Sequence, residues 1–238
     1  MKKGRIHHVR IEKTLKKKTN WTRSIKVCVE NANRLLEESQ HLYEWDYSLA
    51  TPYFLSVIAQ EECAKGFLLH LVAKGIIPWN KNILRITRDH NCKHLLSIIV
   101  DHLSPDFEEM LARHKEQMET GDFRLPSKVA DSMNILKFEK VGRWGPVYSY
   151  GSTDWDEEAM KIANGKKDKR KQNSLYVLLG KDGSVGGTPK VITLKMYEEE
   201  YERAKRFIGF VNHLTLTESP TAIDYEKIVA GFQLLFSE

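Results

Sequence analysis

Between Arg85 and His94 the chain sets Arg85, Arg88, Asp89, His90, Cys92, Lys93 and His94 within ten residues. Arginine and histidine together meet the needs of phosphate chemistry without a metal. The guanidinium is a permanent positive charge with a planar fork of donors, and the imidazole changes protonation near neutral pH. Arg88 and His94 fall on adjacent turns if the segment is helical, and Arg85 and His90 form a second pair of similar spacing. Lys93 adds a further cation beside them. Neither spacing selects one pair over the other.

Two other groups have the right residue types. Gln60-Glu61-Glu62-Cys63-Ala64-Lys65 interrupts an otherwise apolar segment, with Phe54, Leu55, Val57, Ile58 and Ala59 before it and Phe67, Leu68, Leu69 and Leu71 after it. Glu61 and Lys65 are spaced i, i+4, and Glu62 and Lys65 i, i+3, so a salt bridge along one helix edge accounts for part of the group. Because nearly every side of the helix is apolar, at least one glutamate must approach the interior. A buried carboxylate persists only when paired, and the Arg85 to His94 cluster is the natural source of the partner. Arg206 and His213, about two turns apart, make the second candidate pair. His90 and His94 at i, i+4 could ligate zinc, but a helix would turn Cys92 away from them and the glutamate of HExxH is missing. No metal or other cofactor is expected.

The elements that must position these groups are mostly helices. Apolar residues at Ile25, Cys28, Val29, Ala32, Leu35, Leu36, Leu42 and Tyr43 recur with helical period and predict a helix from about Thr22 to Trp45. Thr51-Pro52 reads as N-cap and first residue of an apolar helix that runs to Ala73 and ends at Lys74-Gly75. A third helix is predicted from the Arg/His cluster through Leu103, and a fourth from Asp106 to about Glu119 with Phe107, Met110 and Leu111 on one face. Around Asp122 the period changes. Short strands are expected at Ile135–Phe138, Pro146–Tyr150, Leu175–Leu179 and Lys190–Leu194, with Gly180–Gly187 as a turn between the last two. That glycine cluster lacks the Gly-Lys-Ser/Thr ending of a P-loop. Lys166–Lys171 reads as a basic loop. Helical period returns from about Lys195 to Leu216 and again from Ala222 to Phe236. The fold class is therefore mainly α, a helical bundle with a small β-rich insertion at about 122–194.

Composition bounds the setting. The chain has 238 residues and a formal charge of +5, from 37 Lys and Arg against 32 Asp and Glu. Residues 1 to 18 carry eight of those cations against Glu12 alone, the pattern of a solvated basic tail or of an arm that attracts nucleic acid. The folded domain is expected over 21–238. No run approaches the roughly 18 to 20 apolar residues of a membrane span and the N-terminus lacks a signal-peptide core, so a cytoplasmic protein is expected. Cys28, Cys63 and Cys92 are odd in number and form no CxxC, which points to reduced, buried thiols.

The order Glu61-Glu62-x2-Lys65 in an apolar helix, then His90-x2-Lys93 opening the next, then Lys171-Gln-Asn-Ser-Leu-Tyr-Val177, then Pro189 and a long charged helix, resembles the AbiV family of phage-defence proteins within the HEPN group. The resemblance covers most of the chain after about Trp21. It implies a HEPN-type bundle, usually dimeric, with a role in abortive infection. Many HEPN domains are metal-independent ribonucleases marked by an Arg followed four to six residues later by a His. Arg88 and His94 look most like that mark, the AbiV pattern matches His90 and Lys93, and Arg206 and His213 sit on a late helix where several HEPN families place theirs.

The function expected is a phage-defence endoribonuclease that blocks translation, with Glu61, Glu62 and Lys65 supporting the catalytic groups. Its partners would be RNA, tRNA included, a second copy of the chain and a phage-encoded activator. The competing expectation is a non-catalytic dimeric module that senses a phage protein or binds RNA or a nucleotide. Tyr148, Tyr150 and Tyr176 could stack on bases.

Overall fold

The structure, a computed structural model, describes residues 20–45, 48–141, 155–216 and 224–236. The basic tail, the strand predicted at Pro146–Tyr150 and with it Tyr148 and Tyr150 lie outside them. Helix α1 (Trp21–Trp45) buries Ile25, Val29, Ala32, Leu35 and Leu36 along one stripe, as its period predicts. Helix α2 (Ala50–Ala73) is apolar on nearly every side, and a helix of that kind is stable only at the centre of a bundle. It packs against α1, against α4 (His90–Leu103) and against the long helix α9 (Leu194–Leu216), which also touches α1. Phe67 of α2 is fully buried, with its ring 6.3 Å from that of Phe210 on α9 and 6.2 Å from that of Phe232 on the last helix, α10 (Tyr225–Phe236). Gly66 makes the close approach possible. A Cβ there would lie 3.1 Å from Val211 Cγ1 and 3.8 Å from Cys28 and Val29.

Helix α2 begins at Ala50, with Leu49 as its cap and Pro52 inside the first turn, two residues ahead of the predicted Thr51-Pro52 start. Nothing is lost, because the amide that proline lacks has no helical partner at that position. The single helix predicted through the Arg/His cluster is two, α3 (Lys81–Arg88) and α4, broken at Asp89. Helix α5 (Phe107–Thr120), capped by Asp106, follows the prediction in extent. Its apolar face is not packed, however: Phe107 and Leu111 are exposed.

The insertion contains the one sheet among the described residues, an antiparallel pair of β1 (Leu178–Leu179) and β2 (Val185–Gly187), and is otherwise mainly helical. Ile135–Phe138 is not a strand. Helix α6 (Ser127–Ile135) runs through it into a π-helical segment, Leu136–Val141. Val129, Met133 and Leu136 are buried at helical spacing, a stripe that a short apolar run viewed alone conceals. Lys190–Leu194 holds no strand either: a 3-10 turn at Pro189–Val191 leads through Thr193 into α9, and the partner of β1 comes from the glycine segment itself. Lys166–Lys171 is not a loop. It opens helix α8 (Lys166–Asn173), which follows α7 (Glu157–Ala163) after a turn at Gly165 with φ of 82°.

Cys63 and Cys92 are buried and Cys28 partly so, all as free thiols. No helix among the described residues is long and apolar enough to cross a membrane. Phe67→Ala should cost about 3–5 kcal/mol of stability, read as a lowered urea midpoint with an unchanged slope.

Candidate functional site

The break at Asp89 sets the geometry of the site. Its backbone is extended, so α3 ends, and its carboxylate accepts a hydrogen bond from the Cys92 amide at 2.9 Å, capping α4. Helix α4 therefore begins at His90. Lys93 and His94 follow one turn later on the face turned toward α2, while His90 stays at the rim with 51% of its side chain exposed.

All three converge on Glu61, whose side chain is 1% exposed. Glu61 Oε2 lies 2.7 Å from His90 Nδ1 and 2.6 Å from Lys93 Nζ; Oε1 lies 2.6 Å from Lys171 Nζ and 3.4 Å from His94 Nε2. The apolar surroundings of α2 thus force a glutamate inward, and the neighbouring cluster supplies partners as its sequence implies. Glu62 takes the bland alternative, an ion pair with Lys65 at 2.6 Å. Lys171 comes from α8, where the loop assignment hid it. The spacing that would have found it is Lys167-x3-Lys171, two lysines on one face of a helix. Lys167 donates to Gln60 Oε1 at 3.1 Å and pairs with Glu200 at 3.2 Å, so adjacent turns of α8 reach adjacent residues of α2.

Lys171 Nζ also lies 3.0 Å from His90 Nδ1. One nitrogen cannot both donate to Glu61 and accept from Lys171. The shorter contact, to a carboxylate, assigns the proton to Nδ1, which leaves the lone pair on Nε2. Burial alone would raise the Glu61 carboxyl, but the His94 ring, charged only in acid, and the Lys93 and Lys171 ammoniums outweigh it and hold the carboxyl at about 2. His94 is pushed down to about 3, first by its own burial and then by Lys167. It is neutral at any working pH.

Glu61, His94 and Asp168 bring ligand atoms within 4.8 Å of one another, the donor types of a divalent-metal site. Lys171 occupies that role: its ammonium sits 2.6 Å from Glu61 and 2.7 Å from Asp168. The set suits an ammonium better than a metal ion, since Lys93 already adds a second positive charge.

The arginines of the cluster face elsewhere. Arg88 is exposed and Arg85 partly buried, and both line a shallow groove on α3 with Lys81 and Asp89, immediately before His90. Arg206 bonds Asp101 at 3.1 Å and the Ser104 carbonyl at 3.1 Å, while His213 is exposed near the end of α9.

The AbiV family model, of HEPN type, matches residues 21–209. No curated protein and no solved structure matches the chain.

Replacing Glu61 by Gln leaves the buried Lys93 ammonium without its anion and Lys171 with Asp168 alone, and should destabilise the fold by about 3–5 kcal/mol at pH 7. The folded carboxyl lies at about 2, below its ordinary 4.5, so its contribution is full above pH 4.5 and is lost as pH falls toward 2. Urea titrations over that window should therefore show wild type and Glu61→Gln converging in stability. His94, neutral when folded, adds loss of the same sign from pH 6.5 down to about 3.

Proposed function

The chain belongs to the AbiV family of HEPN proteins, and from that membership and the geometry around Glu61 we propose that it is an abortive-infection endoribonuclease that needs no metal, with His90 as general base. The observation that carries the proposal is an exposed imidazole whose Nδ1 is 2.7 Å from a buried carboxylate, itself fixed by Lys93 and Lys171. A carboxylate so placed holds the ring in one tautomer and orientation, leaving Nε2 to take a proton.

In the proposed reaction His90 Nε2 removes the proton of a ribose 2'-OH. The freed oxygen attacks the adjacent phosphorus, forming the O2'–P bond as the P–O5' bond breaks. The products are a 2',3'-cyclic phosphate and a 5'-OH end. The leaving oxygen lies opposite the attacking one, so its proton comes from a second group, and a symmetric dimer would supply the other subunit's His90. Arg85 and Arg88, which line the shallow groove on α3 that includes Asp89, would be the cations to neutralise charge growing on the phosphate oxygens once RNA is bound. Lys93 and Lys171 act through Glu61, by keeping it ionised and in position.

Of the two pairs with HEPN spacing, this favours Arg85 and His90 over Arg88 and His94. His94, held neutral down to about 3 by its burial, is too weak a base to take a hydroxyl proton. Cleavage of cellular RNA would halt translation during infection, with tRNA as a natural class of target and a phage-encoded protein as the trigger. A second function has one observation in its favour: the whole Glu61 network lies within one subunit, as a structural ion-pair cluster would. In that case the chain is a non-catalytic interaction module.

The two separate in one assay. Purified protein with total RNA or tRNA in EDTA should generate cyclic-phosphate ends, and His90→Ala should slow cleavage by about 10²–10⁴-fold. His213→Ala should cleave as wild type does. Intact RNA with protein activated by lysate of infected cells, or full activity in His90→Ala, contradicts the proposal.

A further inference from the structure

A cleft of about 310 Å³ opens between α4, α7, α8 and α9, with His94 among its lining residues and neither Glu61 nor His90. Neither ring nitrogen of His94 makes a well-formed hydrogen bond, Nε2 lying 3.4 Å from Glu61 Oε1 and Nδ1 having no partner among the described residues, and the side chain is buried. A buried polar group without a partner is costly, so an imidazole left this way at the floor of an open cleft implies something that completes it. Ile98 and Ile162 supply apolar wall.

The charges at the cleft separate into paired and surplus. Asp101 and Glu200 are held by Arg203, Arg206 and Lys167. Glu158 lies 3.9 Å from Lys128, and Glu199 3.9 Å from Lys195. Each of these carboxylates has its own cation. Lys166 and Arg170 line the same cleft, are exposed, and form no ion pair among the described residues, although the Arg170 guanidinium also reaches the Tyr53 hydroxyl. Both belong to α8, whose adjacent face, about 100° round the helix, carries Lys167 and Lys171 toward α2, so Lys166 and Arg170 flank the ion-paired lysines on the solvent side.

A neutral imidazole has no charge to hold an anion. Its Nδ1 can donate to or accept from one group on the edge of a base, whereas the cations at the rim suit phosphates. The volume lies at the low end of small-molecule sites, roughly 300–1,000 Å³, and admits one nucleotide rather than a longer segment. We propose that this cleft is a subsite for one nucleotide of a single-stranded RNA, the base entering toward His94 and its flanking phosphates resting on Lys166 and Arg170. The proposal rests on RNA being the substrate, as above, and makes His94 a specificity-determining residue and not a catalytic one.

The test is binding of fluorescent 2'-O-methyl homo-oligomers of A, C, G and U, which lack the attacking hydroxyl, followed by anisotropy over a range of salt. Wild type should prefer one base by roughly five-fold, the scale of one net hydrogen bond, and His94→Leu should abolish the preference. Lys166→Glu with Arg170→Glu should weaken binding of all four and reduce the slope of log K against log salt by about 1.4, the loss of two single-strand phosphate contacts. These surface changes and the wild-type preference keep the test decisive if His94→Leu does not fold.

Equal binding of the four oligomers, a preference that survives His94→Leu, or an unchanged salt slope overturns the subsite. Displacement of the oligomers by polyglutamate at equal charge, without base preference, overturns it in favour of an acidic protein partner. Base-selective binding by a protein that leaves ordinary RNA intact supports the subsite while removing the ribonuclease function.

Discussion

The Glu61 carboxylate is the constraint on which the rest of the structure depends. A helix apolar on nearly all sides cannot carry a charge at its centre unless other elements bring compensating charge to it, and here two do. Lys93 arrives from α4 and Lys171 from α8, each at 2.6 Å, and His90 completes the shell. The effect runs outward from there. Helix α8 is highly polar, and its buried residue is Lys171, so it is attached to the bundle chiefly by charge. The register of α4 is fixed by the cap at Asp89, one residue before the first histidine. A carboxylate held at about 2 then keeps one proton on the inner nitrogen of His90 and turns the basic nitrogen outward.

The same carboxylate divides two histidines that the sequence presents as alternatives. His90 and His94 are one turn apart on α4, yet one is half exposed and the other fully enclosed. Spacing cannot distinguish them, because both lie close to the face that meets α2. The difference comes from depth: the first residue of a helix remains at its rim, while the fifth is under α2 and α8. The proposed roles divide accordingly, proton transfer at the exposed ring and recognition at the enclosed, non-basic one.

Legibility in the sequence followed the kind of signal. Long helices with a sustained stripe, α1 and α9, were readable to within a residue or so, and the inward turn of a glutamate on α2 followed from the apolar residues around it. The break at Asp89 was not, because Arg85 to His94 has no apolar contrast and the cap depends on a backbone amide. Leu136 was assigned to a strand because four apolar and basic residues fit either period. Lys166–Lys171 is the segment whose helical structure its residues conceal most. A run of lysines resembles a solvated segment, and nothing local shows that two of them are spaced to meet Gln60 and Glu61, more than a hundred residues earlier.

The most direct test of the central claim is long-range proton–nitrogen NMR of the histidine rings at neutral pH, with His90 assigned by comparison with His90→Ala. The geometry predicts the Nδ1–H tautomer for His90, with a non-protonated Nε2 that alone responds to phosphate or RNA, and a His94 ring that stays neutral into acid. A His90 carrying its proton on Nε2, with Lys171 bonded to Nδ1 instead, would mean that Glu61 does not direct this ring, and the assignment of His90 as base would fail.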